Sequence, residues 1–424
     1  MVCVTMNKTR NGLSIFDFGV IILFMLYYLL PISGEYSFFG ALLIALAYVV
    51  TILIRYREES NLAQEIYRYL APITFIALVY LIFARSVTVS SSVAFFIFKR
   101  FFSTFYQNFM MFFPLLFLKR VFDRATRNQK ILLLALSYIV MGYVIIITLQ
   151  ALIINPYITK SWLLFEETRL SNIANYYFVY AVPITTGLTV MCLLKSRHFA
   201  VKAALVALLI FQLYFLFSAQ YALSVLIALI GLALELFVSA ESPVGKTLIV
   251  FGFLFIVLIF PQLFMFLINH VSSTQLALRL QEVYDFLVNR DSSGYNFNGR
   301  IELYQKALIM FLKSPIIGVY HSGINAHGTV WTYLSDVGLL GSLPLFYLYG
   351  RSYNHVKRFL GTSSVEFKPI FTMLVLMGLT NPLQAALPVM FSVWFLAPLT
   401  IHLLQKEHPI WALPPEETPK QNPA

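Results

Sequence analysis

Charge is scarce in this chain. Only 12% of its 424 residues are Asp, Glu, Lys or Arg, against roughly 25% in an ordinary soluble domain. That scarcity excludes a soluble enzyme, a disordered chain and a nucleic-acid-binding domain. Cysteine is scarcer still. Cys3 and Cys192 are the two present, too few for a disulfide framework. Acidic residues number 19 against 30 Lys and Arg, giving a formal charge of +11. In so apolar a chain the placement of those cations matters more than their sum.

What is abundant is apolar surface. Hydrophobic residues make up 59% of the chain, with 40 Phe and 25 Tyr. A helix needs about 20 mostly apolar residues to cross about 30 Å of hydrocarbon. Twelve stretches qualify: 13–31, 36–54, 69–85, 101–118, 131–153, 173–194, 201–217, 219–238, 247–268, 329–349, 369–384 and 386–404. The expected fold is an all-α polytopic integral membrane protein of about 12 transmembrane helices. Lys8 and Arg10 before the first run imitate a signal peptide, but the run is too long for one and shows no small-residue cleavage site. It reads as the first span.

Basic residues then orient the bundle. With the N-terminus in the cytoplasm, 20 of the 30 Lys and Arg fall on inner segments, and an even span count returns the C-terminus to the same side. Lys99 and Arg100 fall near the outer face, where snorkelling to headgroups explains them. The expected organisation is nine spans over 1–268, a large outer loop over 269–328 containing short helices, three spans over 329–405, and a Pro-rich disordered cytoplasmic tail over 406–424.

Two outer segments are long, 155–172 and 269–328. Loops beyond about 12–15 residues are usually functional or disordered. In the second, Leu276, Leu280, Val283 and Leu287 recur at helical spacing over 275–288, as in an amphipathic helix lying on the membrane surface. Asn298 can cap a further helix over 299–313, which Pro315 and Gly318 would end.

Downstream of that cap, Arg300, Tyr304, Pro315, Gly318, His327, Asp336, Gly338, Leu339 and Gly341 form a pattern. It runs Arg, an aromatic four residues on, Pro then Gly, His, then an acidic residue before Gly-Leu-x-Gly. The pattern resembles the signature region of the bacterial O-antigen ligase and O-antigen polymerase superfamily. There are two departures. The family often has Asn after the motif histidine, where this chain has Gly328. Ligases commonly carry Ser-Arg or Thr-Arg at the outer end of a middle span, where this chain has Ser218-Ala219-Gln220. The missing arginine favours polymerase over ligase.

The resemblance implies a fold similar to GT-C-type membrane glycosyltransferases. It also implies donor and acceptor oligosaccharides on undecaprenyl pyrophosphate, an inner-membrane location, and a chain-length regulator and a flippase as further partners. Neither cofactor nor metal nor nucleic acid is expected. The product would be O-antigen, capsule or a related surface polysaccharide. A ligase, delivering finished glycan to lipid A core, shares the donor chemistry. A transporter or flippase of lipid-linked oligosaccharide would suit twelve spans, but no half-to-half symmetry is visible.

The same residues suit that chemistry. A departing pyrophosphate gathers negative charge, and arginine offers a fixed fork of donors to phosphate oxygens. The attacking sugar hydroxyl needs a base, and histidine titrates nearest neutral pH. His327 is the expected base and Arg300 its partner, with His321 the poorer histidine. Arg169, Arg279 and Arg290 are candidate pyrophosphate ligands. Each has a plainer role available, because Arg169 follows Glu166 and Glu167, Arg279 precedes Glu282 at helical spacing, and Arg290 adjoins Asp291. Tyr304 and Asp336 are supporting residues. Asp336 lies nine residues beyond His327, roughly 13 Å along a helix rising about 1.5 Å per residue, so the two form no dyad.

Overall fold

The computed structural model describes residues 12–30, 35–55, 60–83, 93–155, 158–159, 173–219, 221–270, 281, 284–285, 297–319, 328–383 and 386–405. Among these residues there is no strand. The helices are α1 (Ile15–Leu29), α2 (Glu35–Arg55), α3 (Ser60–Phe83), α4 (Val93–Phe112), α5 (Pro114–Arg124), α6 (Arg127–Ile154) and α7 (Tyr176–Lys195). They continue as α8 (Phe199–Ser218), α9 (Ala222–Ser239), α10 (Pro243–His270), α11 (Phe297–Lys313), α12 (Thr329–Leu360), α13 (Lys368–Thr380) and α14 (Leu387–Gln405). A 3₁₀ segment, Gly361–Phe367, joins α12 to α13.

Each of the twelve apolar stretches overlaps helix among the described residues. Seven helical stretches among the described residues are long and apolar enough to cross a membrane. One of them, Thr329–Thr380, holds both α12 and α13; Ile15–Leu29, Gly40–Ile54, Leu223–Ser239 and Pro243–Phe255 are shorter apolar helices. The molecule is thus a helical membrane protein. The helix expected over 299–313 is present as α11.

Local chemistry sets the ends. Thr126 and Gln129 form a reciprocal capping box at the start of α6, and Gln129 also bonds the main chain of Leu13. Ser14 and Asn175 cap α1 and α7 through their side chains. Two stretches differ from expectation. The fourth, expected as one helix over 101–118, is α4 followed by α5, broken at Phe113. Pro114 has no N–H to offer the carbonyl of Met110, and the hydroxyl of Tyr28 donates to that carbonyl instead at 2.7 Å. The eleventh, expected to reach 384, stops at Thr380. Asn381 precedes Pro382 and is extended, with φ −142° and ψ 152°.

α7 and α14 form the interior, each with 83% of its best apolar window buried. Trp394 of α14 is ringed by Phe112, Tyr349, Phe367 and Phe371 at 6.1–6.4 Å between centroids. The stretch 95–113 is rich in Phe, and its Phe109, Phe112 and Phe113 are buried, so that end of it is packing surface. α8 is the opposite case, with mean hydropathy 2.2 and only 17% buried. Such a face in water would drive aggregation, whereas in hydrocarbon it is at home.

The ends of the bundle differ in kind. At one end lie ion pairs: Asp17 with Arg120 at 3.6 Å, Glu65 with Lys119 at 2.9 Å, and Glu366 with Lys195. Lys130 approaches His402 there at 3.5 Å. At the other end, among the described residues, Tyr, Trp, Thr and Asn side chains meet, and the exposed Glu302–Lys306 pair of one helix lies at 3.8 Å. Alternating spans explain the first cluster, because each of its three ion pairs joins helix ends of the same parity.

Candidate functional site

The residues that carry the superfamily resemblance are largely assembled as one backbone clasp. α11 ends at Lys313 and the chain turns through Ser314–Gly318, closed by the Gly318 N–H donating to Ser314 O at 2.8 Å. The turn lies against a break in α12 at Gly338, which has φ 57° and ψ −156°. In an unbroken helix the N–H of Leu339 would donate to Ser335 O and that of Leu340 to Asp336 O. Here Leu339 donates to Pro315 O and Leu340 to Ile316 O, both at 2.9 Å, while Ser335 O accepts from Val319 N–H at 2.7 Å. The turn replaces the rungs the helix has lost.

Only glycine fits at the crossing. Gly318 has φ 74°, and a Cβ there would lie 2.5 Å from the carbonyl of Asp336. A Cβ at Gly338 would lie 2.5 Å from Gly318 N and 2.6 Å from Ile316 O. Both positions demand a positive φ as well as close backbone approach. The Pro-x-x-Gly and Asp-x-Gly-Leu parts of the pattern are therefore two halves of one joint.

A polar node lies where α7 and α12 begin and α13 ends. The N–H and hydroxyl of Thr329 both donate to Asn381 O at 3.1 Å, and Thr329 Oγ1 accepts from the N–H of Leu383 at 2.6 Å. The hydroxyl of Tyr176 donates to Asn381 Oδ1. From α11 the hydroxyl of Tyr304 donates to Thr380 O at 3.3 Å, and its ring stacks on Trp331 at 5.7 Å. Tyr176 also packs on Tyr180 at 4.9 Å and Tyr221 at 5.4 Å. Gly328 belongs here: a Cβ would stand 2.6 Å from Leu379 O, so the Asn often found at this position in the superfamily would collide.

Tyr304 thus joins the node and Asp336 the clasp. The half-buried Asp336 contributes its main chain to the crossing with Gly318. Arg300 sits in the first turn of α11. Its side chain lies outside the described residues, as do those of Lys99 and Arg100. His327, His321, Arg169, Arg279, Arg290 and Gln220 lie outside them too. Of the stretch 275–288, Gln281, Tyr284 and Asp285 are described, and Gln281 donates to Asp285 at 2.9 Å one helical turn on. Among the described residues no group of three His, Cys, Asp or Glu could hold a metal ion.

Tyr176, Tyr221, Thr329, Trp331 and Asn381 were not singled out from sequence. Their common signal is position, since each begins or ends an apolar stretch at a terminus the alternating topology puts on one side. No family model matches the chain, and no curated protein matches it.

Proposed function

We propose that this protein is a membrane glycosyltransferase that polymerises polyprenyl-pyrophosphate-linked oligosaccharide repeats at the outer face of the bacterial plasma membrane. The carrying observation is the clasp. Pro315, Gly318, Asp336, Gly338 and Leu339 are scattered in sequence yet meet in one hydrogen-bonded joint. A chance pattern has no reason to converge so. The joint also secures Val319 to α12, while Gly328 and Thr329 are secured against the end of α13. Those residues flank the segment that carries His321 and His327.

The nearby rings support the reading. Tyr176, Tyr304 and Trp331 are partly exposed rings beside Thr and Asn groups, the mixture that carbohydrate sites use. In the proposed reaction the hydroxyl of the acceptor's terminal sugar attacks the donor's anomeric carbon and gives its proton to His327. The bond from that carbon to the pyrophosphate oxygen breaks. The lipid pyrophosphate leaves with the electron pair, its charge met by Arg300 and by Arg169, Arg279 or Arg290. One displacement inverts the anomeric centre. No nucleotide sugar takes part.

The topology belongs to the same proposal. The seven spanning stretches, with α12 and α13 taken separately, and the four shorter apolar helices correspond to the twelve stretches of the sequence. With the N-terminus in the cytoplasm, the ion-paired end faces inward and the aromatic node outward.

The test is His327→Ala and Arg300→Ala, with expression verified and glycan length read on a gel. Both variants should lose long chains. Unchanged long chains in both would refute the assignment. Deletion of the gene should leave single capped repeats, whereas long glycans stranded on the carrier lipid would identify a ligase.

A further inference from the structure

Beyond the break at Gly338, α12 runs on from Leu339 to Leu360, about 33 Å at about 1.5 Å per residue, enough to span the roughly 30 Å of a hydrocarbon core. Its last turns, from Gly350, run past the apolar stretch at the ion-paired end of the bundle. There, beside α3, a cavity of about 290 Å³ is lined by Tyr347, Gly350, Arg351, Asn354, His355 and Arg358. Arg351, Asn354 and Arg358 recur at helical spacing, so they share one face.

Toward the middle of α12 the same face is apolar and uncovered. Leu340, Leu343 and Tyr347 are exposed by 37%, 57% and 51%. The face thus passes from hydrocarbon to guanidinium within a few turns. The guanidinium of Arg351 lies over the ring of Tyr69 from α3 at 5.5 Å, and its buried Nε has no hydrogen-bond partner. Glu65 of α3 is engaged by Lys119 at 2.9 Å. Arg351 and Arg358 supply the positive charge of this face, and His355 between them lies 4.0 Å from Glu65.

We infer that this face at the end of α12 binds the phosphate headgroup of an anionic membrane phospholipid. The acyl chains would lie along Leu343 and Leu340. An ammonium-bearing headgroup would meet like charge. A soluble phosphate would leave the apolar half of the face unused. The site is at the opposite end of the bundle from the aromatic node, and it holds whether or not the sugar chemistry proposed above is right.

Native mass spectrometry of the purified full-length protein can test this. It would be presented with phosphatidylglycerol and phosphatidylcholine of identical acyl chains. The wild type should retain phosphatidylglycerol about thirtyfold better, the scale expected for two basic side chains near a lipid surface. Arg351→Gln should abolish that preference. Because Arg351 also packs on Tyr69, Arg358→Gln, at an exposed position, is the second variant and should weaken the preference without unfolding the protein. Lys202→Gln, on α8, should leave it unchanged. Equal retention of the two lipids by the wild type, or equal loss in Lys202→Gln, overturns the proposal. Displacement of phosphatidylglycerol by inorganic phosphate at matched concentration would show that phosphate alone suffices, and would overturn the lipid assignment.

Discussion

Gly338 is where one missing carbon matters most. An L side chain at its positive φ costs about 1–2 kcal/mol, and the added Cβ would also press on Ile316 O and Gly318 N. Gly338→Ala should therefore lower the melting temperature in detergent and open the clasp. Leu339→Ile, which leaves the N–H of residue 339 in place, should be nearly neutral. Thr329 is the second such residue, because its hydroxyl donates to one main-chain group and accepts from another. Thr329→Val should cost about 1–3 kcal/mol by leaving Leu383 N–H without its partner. The glycines were legible as motif letters, but their reason was not. Positive φ and a 2.5 Å approach involve partners about 20 positions apart, which no local pattern reveals.

Among the elements, the break between α4 and α5 shows proline and tyrosine acting together. Tyr28→Phe keeps the ring against Phe391 but removes the donor to Met110 O. A stability loss of about 1–3 kcal/mol is expected from the orphaned carbonyl, measured by thermal unfolding. Asp17 binds α1 to α5 and α2: it pairs with Arg120 and accepts from the hydroxyls of Ser14 at 2.7 Å and Tyr48 at 3.3 Å. Asp17→Leu should destabilise by about 3–5 kcal/mol because it leaves a buried guanidinium behind, and Arg120→Leu in the same chain should restore part of that loss. The helices themselves were readable, since apolar runs bounded by Thr126, Asn175 and Pro382 carry their own signals. The division at Phe113 was readable only as a proline inside an apolar run, and the two-sided geometry of the aromatic node was not readable at all.

For the whole molecule, the clustering of helix-to-helix ion pairs at one end is the feature that orientation must respect. In a background with Cys3 and Cys192 replaced by Ser, Ile154→Cys at the end of α6 should react with a membrane-impermeant maleimide on intact cells. Glu241→Cys, between α9 and α10, should react only after permeabilisation. The reverse pattern would place the proposed reaction on the cytoplasmic side and remove its substrate. The twelve-stretch reading and the orientation came from hydropathy and basic residues, which act over whole spans. The site came from a motif whose members meet only once the chain has folded.

The joint at Gly318 and Gly338 is made of main chain, and that has an evolutionary consequence. Hydrogen bonds between backbones do not inspect the letters attached to them. The side chains of Ile316, Ile317, Leu339 and Leu340 are exposed, so drift among oily residues there should go unnoticed by selection. A saturation scan would then show a comb, with two rigid teeth at the glycines and permissive gaps between them. A protein built on such a comb could diverge until little but its hinges remained recognisable.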